Sequence, residues 1–327
     1  MINPLMSLCH GDAFGIPVVL LIGWRGELSM NDEPQHRAQG RQMIPMLESC
    51  EIDSFELPSD TIGAADTIEK ATKIARERKC PVAVLVRRGI LEESNIATVQ
   101  ESKQDENEEK LLHAPLTRRT ALTEILNLVG DSNDFIISTT GYTSRELYSI
   151  REQKQKESQR PLGGELYMVG SMGHALSIAQ GVALAQPHRR VWCIDGDGSL
   201  LMHMGSLVST ASLSMKNLVH VVLNNSCHES VGGQRTAASQ STEAPKGPFF
   251  PALALAAGYS RVFGARNVDE LHEIKLLSGE NNQGSTFLEI MTGIDFTLNK
   301  QLPRPRETLA QFRDATYAFL QKSSTAN

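Results

Sequence analysis

The sequence predicts an α/β protein with two domains, each built on a parallel β-sheet flanked by helices. The first observation is a set of short, almost wholly apolar runs, which is typical of parallel strands buried on both faces of a sheet. The second is that helical stretches separate these runs along the chain. The predicted strands cover residues 17–22, 81–86, 135–138, 191–194, 218–223 and 287–291.

A change of composition divides the chain into domains. Residues 92–115 are rich in Glu, Lys, Gln, Asn and Ser and contain no aromatic side chain, so we interpret them as an exposed linker. This linker separates an N-terminal α/β domain (1–91) from a larger C-terminal α/β domain (116–327). A second polar stretch, residues 151–160, is predicted to be a surface loop of the C-terminal domain.

Composition also excludes several classes of protein. The 327 residues include 40% hydrophobic and 21% charged residues, as expected for a globular protein. No run reaches the roughly 18 to 20 apolar residues that a membrane helix needs, and no secretory signal is visible at the N-terminus. A net charge of -6 argues against nucleic acid as a partner.

The cysteines point to the cytoplasm. There are five of them, an odd number, and they lie far apart in the sequence. This spacing matches neither a disulfide framework nor a zinc-binding motif, so we expect reduced thiols in a cytoplasmic protein.

The most specific chemical signal lies where two predicted strands end. The strand at 191–194 is followed by Asp195, Gly196, Asp197, Gly198 and Ser199, and the strand at 218–223 is followed by Asn224 and Asn225. In a right-handed βαβ unit, Asp197 and Asn225 both lie just past the carboxyl ends of parallel strands, where open α/β sheets bind ligands.

Two hard oxygen ligands suit Mg²⁺, which completes its octahedron with phosphate oxygens and water. Gly196 and Gly198 let the backbone approach a diphosphate, and the helix predicted to follow would direct its N-terminus at the anion.

A third strand end carries small polar groups. Thr139, Thr140 and Gly141 follow the strand at 135–138, where hydroxyls and a glycine amide can hydrogen-bond a diphosphate. Each of these short motifs is, by itself, more typical of a tight turn or a strand-end cap. The joint spacing and strand context of Asp197 and Asn225 favour the ligand site.

Gly196-Asp197-Gly198, followed by Asn225, resembles the signature of thiamine-diphosphate-dependent enzymes. The resemblance implies that the carboxylate of Asp197, the amide of Asn225 and the backbone carbonyl of Cys227 bind Mg²⁺. The interval between Asp and Asn is one residue longer than in many decarboxylases, so Asn224 is an alternative ligand.

The segment at 169–174 resembles the one that holds this cofactor bent. The resemblance implies that the Gly170 carbonyl accepts a hydrogen bond from the aminopyrimidine, that Ser171 adjoins the cofactor, and that Met172 lies beneath its two rings. Met172 without its glycine neighbours would be typical of an ordinary core methionine.

Longer strings are similar to the phosphonopyruvate decarboxylases and, next, to the sulfopyruvate decarboxylases. These strings lie at 20–27, 32–36, 139–147, 170–174 and 228–234. The resemblance implies a partial pyrimidine-binding domain at 1–91, a diphosphate-binding domain at 116–327, and a homodimer or larger homo-oligomer. The implied reaction is the decarboxylation of 3-phosphonopyruvate to phosphonoacetaldehyde in phosphonate biosynthesis, with sulfopyruvate or another 2-oxo acid as the alternative substrate.

Four residues are candidates for contact with substrate or for proton transfer. Arg25 could bind the phosphonate or carboxylate, or could be a surface cation paired with a nearby acid. His36 and His228 could transfer protons near neutral pH, or could be solvated or capping histidines. Glu229 could orient His228, act as a local acid, or be a solvent-facing carboxylate.

One feature departs from the resembled family, which activates the pyrimidine with a glutamate near the beginning of the pyrimidine-binding domain. The start of this sequence is similar to the middle of that domain, and Glu27, Glu33 and Glu48 do not match the motif. The competing hypotheses are therefore an active lyase and a non-catalytic protein that binds the cofactor. A dinucleotide-binding oxidoreductase is weaker, because no predicted strand is followed by Gly-x-Gly-x-x-Gly.

Overall fold

The computed structural model describes residues 2, 5–27, 30–91, 116–129, 133–158, 164–237, 249–274, 284–294 and 301–322. The chain forms two compact units, Met1–Glu101 and Ser102–Asn327. Each unit contains its own parallel sheet with helices around it, which confirms the predicted α/β fold. The predicted linker at 92–115 lies outside the described residues.

The first unit contains a three-stranded sheet. Its elements are a short helical turn (Leu5–Cys9), β1 (Val18–Gly23), α1 (Pro34–Ser49), β2 (Asp53–Glu56), α2 (Thr61–Arg78) and β3 (Pro81–Val86). The strands are parallel in the order β1-β3-β2. Central strand β3 is buried along its whole length, because apolar clusters cover both faces of the sheet.

The second unit contains a six-stranded parallel sheet. Its strands are β4 (Phe135–Ser138), β5 (Glu165–Tyr167), β6 (Val191–Gly196), β7 (Leu218–Asn224), β10 (Arg261–Ala265) and β11 (Thr286–Met291), and β8 (Cys227–His228) and β9 (Gln234–Arg235) form a small antiparallel pair. Its helices are α3 (Arg118–Leu128), α4 (Tyr142–Ser158), α5 (Ala175–Ala185), α6 (Asp197–Met202), α7 (Ser206–Leu213), α8 (Phe249–Ala257), α9 (Val268–Glu273) and α10 (Leu309–Gln321). The strand order is β10-β11-β7-β6-β4-β5.

Helices cover both faces of the six-stranded sheet. One face packs against α3, α4 and α9 around the fully buried Trp192. The opposite face packs against α5, α7 and α8, with Phe250 and Phe287 at its centre. Successive residues of a strand point to opposite faces, so strands β6 and β7, which are buried on both sides, consist mainly of apolar residues.

All six predicted strands are observed among the described residues, and three further strands of the two parallel sheets were missed, as was the short pair β8 and β9. The three strands, β2, β5 and β10, each lie at the edge of a sheet. The loop predicted at 151–160 is wrong over its described part, because α4 continues to Ser158. Glu, Lys and Gln are strong helix formers, so a polar composition there is compatible with an exposed helix. No helix in the described part of the chain combines the length and apolar character needed to cross a membrane.

Candidate active site

The topology of the second unit places the candidate residues together. Strand β4 lies between β5 and β6. The chain therefore forms β5 on one side of β4 and then crosses to form β6 on the other side. Such a change of direction opens a crevice at the carboxyl ends of the strands. Gly196 at the end of β6 is in register with Leu223 near the end of β7, which brings Asp197 and the Asn224-Asn225 pair to neighbouring positions.

A cleft of about 530 Å³ lies at this edge of the sheet. The predicted site residues that line it are Thr139, Thr140, Met172, Gly196, Asp197, Gly198, Ser199, Asn225, Cys227, His228 and Glu229. Lining residues that the sequence analysis did not single out include Arg118, Tyr142, Thr143, Ser230 and Thr292. The fold thus gathers candidate residues that lie up to 90 positions apart in sequence, from Thr139 to Glu229.

Asp197 is a buried carboxylate held by hydrogen bonds. It is 3% exposed, and its Oδ2 accepts a hydrogen bond of 2.7 Å from the Thr236 hydroxyl. Burial raises the pKa of Asp197 to about 6, although hydrogen bonds from Thr236 and the Gly198 amide oppose the shift. A carboxylate that is costly to ionise without a partner is a natural position for a cation.

The two asparagines after β7 have different surroundings. Asn224 is 4% exposed; its Nδ2 donates to Glu289 Oε1 at 2.8 Å, and its Oδ1 accepts from the Ser226 amide at 2.9 Å. Asn225 lines the cleft, and its Oδ1 accepts from the Cys227 amide at 3.0 Å. The structure therefore favours Asn225 over Asn224 as the residue that faces a ligand.

A chain of hydrogen bonds ties the ends of β4 and β6 together. Thr139 Oγ1 donates to Ser199 Oγ at 2.8 Å, and the Gly173 amide donates to the same oxygen at 3.0 Å. The Gly170 amide donates to Thr140 Oγ1 at 3.0 Å, which connects the loop at 169–174 to the cleft. These contacts hold the hydroxyl groups in defined positions before any ligand binds.

Left-handed backbone shapes two of these segments. Gly141 has a φ of 102°, which side-chain-bearing residues rarely adopt. Ser171 has a φ of 49°, and it lies between Gly170 and Met172. A non-glycine residue in this conformation stores strain of about 1 kcal/mol or more, and such strain is concentrated at functional sites.

An ion-pair network that sequence reasoning missed lies at the cleft. Arg118 Nε donates to Glu146 Oε2 at 2.7 Å, and its Nη1 donates to Glu229 Oε2 at 2.5 Å. The three side chains are at most 10% exposed, and the guanidinium also lies 5.7 Å from the ring centroid of Tyr142. Glu229 is therefore a buried, paired carboxylate and not the solvent-facing group that the sequence left open. Arg118 belongs to no motif, so no sequence signal indicated it.

His228 lies beside the glycine turn. A Cβ atom on Gly198 would lie 2.6 Å from Cε1 and Nδ1 of His228, so only a glycine leaves room for the ring in this position. Close approach of a backbone to a side chain is one reason for a glycine at a functional turn. The pairing of His228 with Gln234 across β8 and β9 fixes the backbone that carries the ring.

Arg25 and His36 lie in the first unit. Arg25 donates to both carboxylate oxygens of Asp32 at 2.8 Å, and His36 Nδ1 lies 3.0 Å from Asp32 Oδ1. The hydrogen bond from Arg25 lowers the pKa of Asp32 well below its usual range. The structure thus shows the ion pair that was one of the two alternatives for Arg25, and contact of Arg25 or His36 with substrate stays a prediction.

Comparisons with known proteins define the class of this chain. Residues 147–290 match the family model for the thiamine pyrophosphate enzyme, C-terminal TPP binding domain. The match includes Asp197, Asn225 and their strands β6 and β7, whereas β4 and the Thr139–Thr140 pair precede it. The C-terminal unit therefore has the sequence and fold of a thiamine-diphosphate-binding domain.

Relatives narrow this class. Phosphonopyruvate decarboxylase of Streptomyces hygroscopicus is 32% identical over 96% of this chain and 75% of that protein, and its counterpart in Streptomyces viridochromogenes is 33% identical over the same shares. Sulfopyruvate decarboxylase subunit beta of Methanothermobacter thermautotrophicus is 43% identical over 37% of this chain and 59% of that protein. The chain belongs to the thiamine-diphosphate-dependent decarboxylase family that includes the phosphonopyruvate decarboxylases, a family of carboxy-lyases.

Proposed function

We propose that this protein catalyses the thiamine-diphosphate- and Mg²⁺-dependent decarboxylation of 3-phosphonopyruvate to phosphonoacetaldehyde and carbon dioxide. The observation that carries the proposal is the convergence of Asp197, Asn225 and the Thr139–Thr140 hydroxyls on one cleft at the carboxyl ends of β4, β6 and β7. The names of the two Streptomyces relatives support the choice of substrate.

The donor set fits a hard divalent cation. The carboxylate of Asp197, the amide oxygen of Asn225 and the backbone carbonyl of Cys227 would hold Mg²⁺, which prefers a few protein oxygens and shares the remaining positions with phosphate and water. Thr139, Thr140, Gly141 and Ser199 would hold the diphosphate. Gly196 and Gly198 add no side chain that would obstruct it.

The remaining lining residues would orient the cofactor and manage protons. When bound, thiamine diphosphate supplies the electron sink for the pair left by the departing carbon dioxide. Met172 would pack against its rings beside Gly170 and Ser171, since a thioether adapts to irregular aromatic surfaces. His228 would accept or donate a proton during the reaction, and Arg118 would hold the Glu229 carboxylate beside it.

A second substrate follows from one of the comparisons. The similarity to sulfopyruvate decarboxylase subunit beta reaches 43% identity, but it covers only 37% of this chain. Phosphonopyruvate and sulfopyruvate are both three-carbon keto acids with a second anionic group, so the same cleft could accept either. Parallel turnover measurements on the two compounds decide between them.

We also propose a homo-oligomer in the cytoplasm. Met202 and Val208, on α6 and α7 of the second unit, are 59% and 60% exposed. An interface between two copies of the chain would cover exposed apolar side chains such as these. Sedimentation of the cofactor-loaded protein measures the assembly, and a monomer at micromolar concentration would contradict the proposal.

The function is tested by carbon dioxide release from 3-phosphonopyruvate by the purified, Mg²⁺- and cofactor-loaded protein. The matched variants are Asp197→Ala, which removes the proposed ligand, and Asp314→Ala, which removes an exposed carboxylate of α10. Cofactor affinity should fall in Asp197→Ala alone. Equal affinity in the two variants would reject the site, whereas tight binding without carbon dioxide release would favour the non-catalytic alternative.

A further inference from the structure

A second cluster of metal-ligand side chains lies in the core of the second unit, away from the cleft lining. Cys193 and Asp195 are alternate residues of β6, and His220 of β7 is in register with Cys193. Alternate residues of a strand point to the same face, so the three side chains share the face of the sheet that packs against α7 and α8. We infer that Cys193, Asp195 and His220 form a binding site for one Zn²⁺ ion.

The geometry allows a common ligand. One ligand atom from each residue, the Cys193 sulfur, an Asp195 oxygen and a His220 ring nitrogen, lies within 4.8 Å of the other two. His220 Nε2 is 3.7 Å from Asp195 Oδ2. Zn²⁺ binds sulfur, nitrogen and oxygen at about 2.0 to 2.3 Å, so the cluster needs to contract by about 1 Å or less around the ion.

One ring nitrogen of His220, Nε2, is available to bind a metal ion in the cluster. Its Nδ1 lies 3.3 Å from the Tyr259 hydroxyl, whereas its Nε2 is buried without a hydrogen-bond partner among the described residues. A hydrogen bond between one ring nitrogen and a neighbouring hydroxyl orients a metal-binding histidine. The rings of His220 and Phe287 pack edge to face, with their centroids 5.3 Å apart. This contact further restricts the orientation of the imidazole.

Charge and burial favour Zn²⁺ over other occupants. All three side chains are at most 1% exposed, and an uncompensated charge in such a position is costly. One thiolate and one carboxylate neutralise a divalent cation, so the loaded cluster carries no net charge. Mixed sulfur, nitrogen and oxygen ligands suit Zn²⁺, whereas Mg²⁺ prefers oxygen. The two proposed sites therefore differ in the metal that they select.

Sequence spacing hid this site. Cysteine spacing alone predicted no zinc motif, because two ligands come from one strand and the third from the next strand along the sheet. Cys193 and Asp195 are two residues apart on β6, and His220 is in register with Cys193 on β7. The three side chains therefore meet only after the sheet has formed.

Metal analysis of the purified protein tests the inference. After incubation with Zn²⁺ and dialysis against Mg²⁺ buffer, the protein should retain about one equivalent of zinc. Replacement by Co²⁺ should give the near-ultraviolet absorption band of a cobalt-thiolate bond, a readout that needs no variant and no enzyme activity. Retention of less than about one tenth of an equivalent, or a Co²⁺ complex without this band, would overturn the site.

Variants assign the ligands. Cys193→Ser should remove the cobalt-thiolate band, and His220→Gln should weaken Co²⁺ binding by at least about 100-fold. Cys9→Ser, which alters a buried cysteine of the first unit, and Asp197→Asn should leave the band unchanged. A band that survives in Cys193→Ser, or that is lost in Cys9→Ser, would refute the assignment.

Discussion

The burial of Asp197 leads to a prediction that separates stability from function. In the folded protein without ligands, the pKa of Asp197 is about 6, against an ordinary value of 3.8. As pH rises through this interval, the unfolded carboxyl releases its proton while the folded one keeps it. The folded state therefore loses stability over this pH range, and the full loss is present above pH 6.

The magnitude follows from the shift. A difference of about two pH units corresponds to about 3 kcal/mol of unfavourable free energy at pH 7.5, as an upper estimate. Asp197→Asn removes the ionisation and keeps a group of the same shape beside the Thr236 hydroxyl. We expect this variant, without cofactor, to be more stable than the parent protein by about 2 to 3 kcal/mol at pH 7.5. Its Mg²⁺-dependent cofactor binding should be lost.

Urea unfolding of the cofactor-free protein at pH 5 and pH 7.5 measures the effect. Trp192 is fully buried in the second unit, so its fluorescence in a Trp24→Phe background reports that unit alone. Asp314→Asn, at an exposed position, is the control. It should not appreciably change the free energy of unfolding at pH 5 or at pH 7.5. The reasoning is refuted if Asp197→Asn is less stable than the parent at pH 7.5, or if both proteins have the same pH dependence.

Three further changes test the surroundings of the cleft. Thr236→Val removes the hydroxyl that donates to the carboxylate at 2.7 Å, so Mg²⁺ affinity by calorimetry should fall about 10- to 100-fold, and Thr236→Ser should restore it. Gly198→Ala forces the His228 ring away from a Cβ atom placed 2.6 Å from it, and kcat/KM for decarboxylation should fall about 100-fold. Arg118→Met removes the cation that pairs with two buried carboxylates and should lower the free energy of unfolding by about 3 to 5 kcal/mol. Arg313→Met, at an exposed pair, should cost less than about 1 kcal/mol.

Each of these predictions has an outcome that contradicts it. Equal Mg²⁺ affinity in Thr236→Val and the parent would show that the hydroxyl does not support the metal ligand. Unchanged kcat/KM in Gly198→Ala would show that the position of His228 is unimportant for turnover. Equal destabilisation by Arg118→Met and Arg313→Met would show that the buried network contributes no more than a surface ion pair.

Much of the fold could be predicted because the central strands carry their own signal. Strands β3 and β7 are buried on both faces, so most positions along them are apolar, and a run such as 218–223, interrupted only by His220, is conspicuous. Edge strands have one neighbour and partial solvent contact, and β2 and β10 consequently include half-buried and exposed residues. Their sequences resemble those of loops, and their pairing depends on a sheet that already exists.

The residues of the candidate site also fall into those that the sequence could identify and those that it could not. Asp197 and Asn225 could be identified because each directly follows a recognisable strand, and parallel strands end at a common edge. Arg118 could not be identified, because its contacts with Glu146 and Glu229 join residues 28 and 111 positions away. No local pattern records such a pairing.

The sequence by itself determined the parallel α/β class, the strands of the sheet interior together with the apolar edge strand β1, and the polar residues at the carboxyl ends of β4, β6 and β7, because each depends on local composition and order. Only the tertiary structure decided that Asn225 faces the cleft while Asn224 bonds Glu289, that Glu229 is paired with Arg118, and that Cys193, Asp195 and His220 meet in the core. The physical reason is that strand register and helix packing, which no single segment contains, set the distances between side chains and the degree to which water is excluded from them.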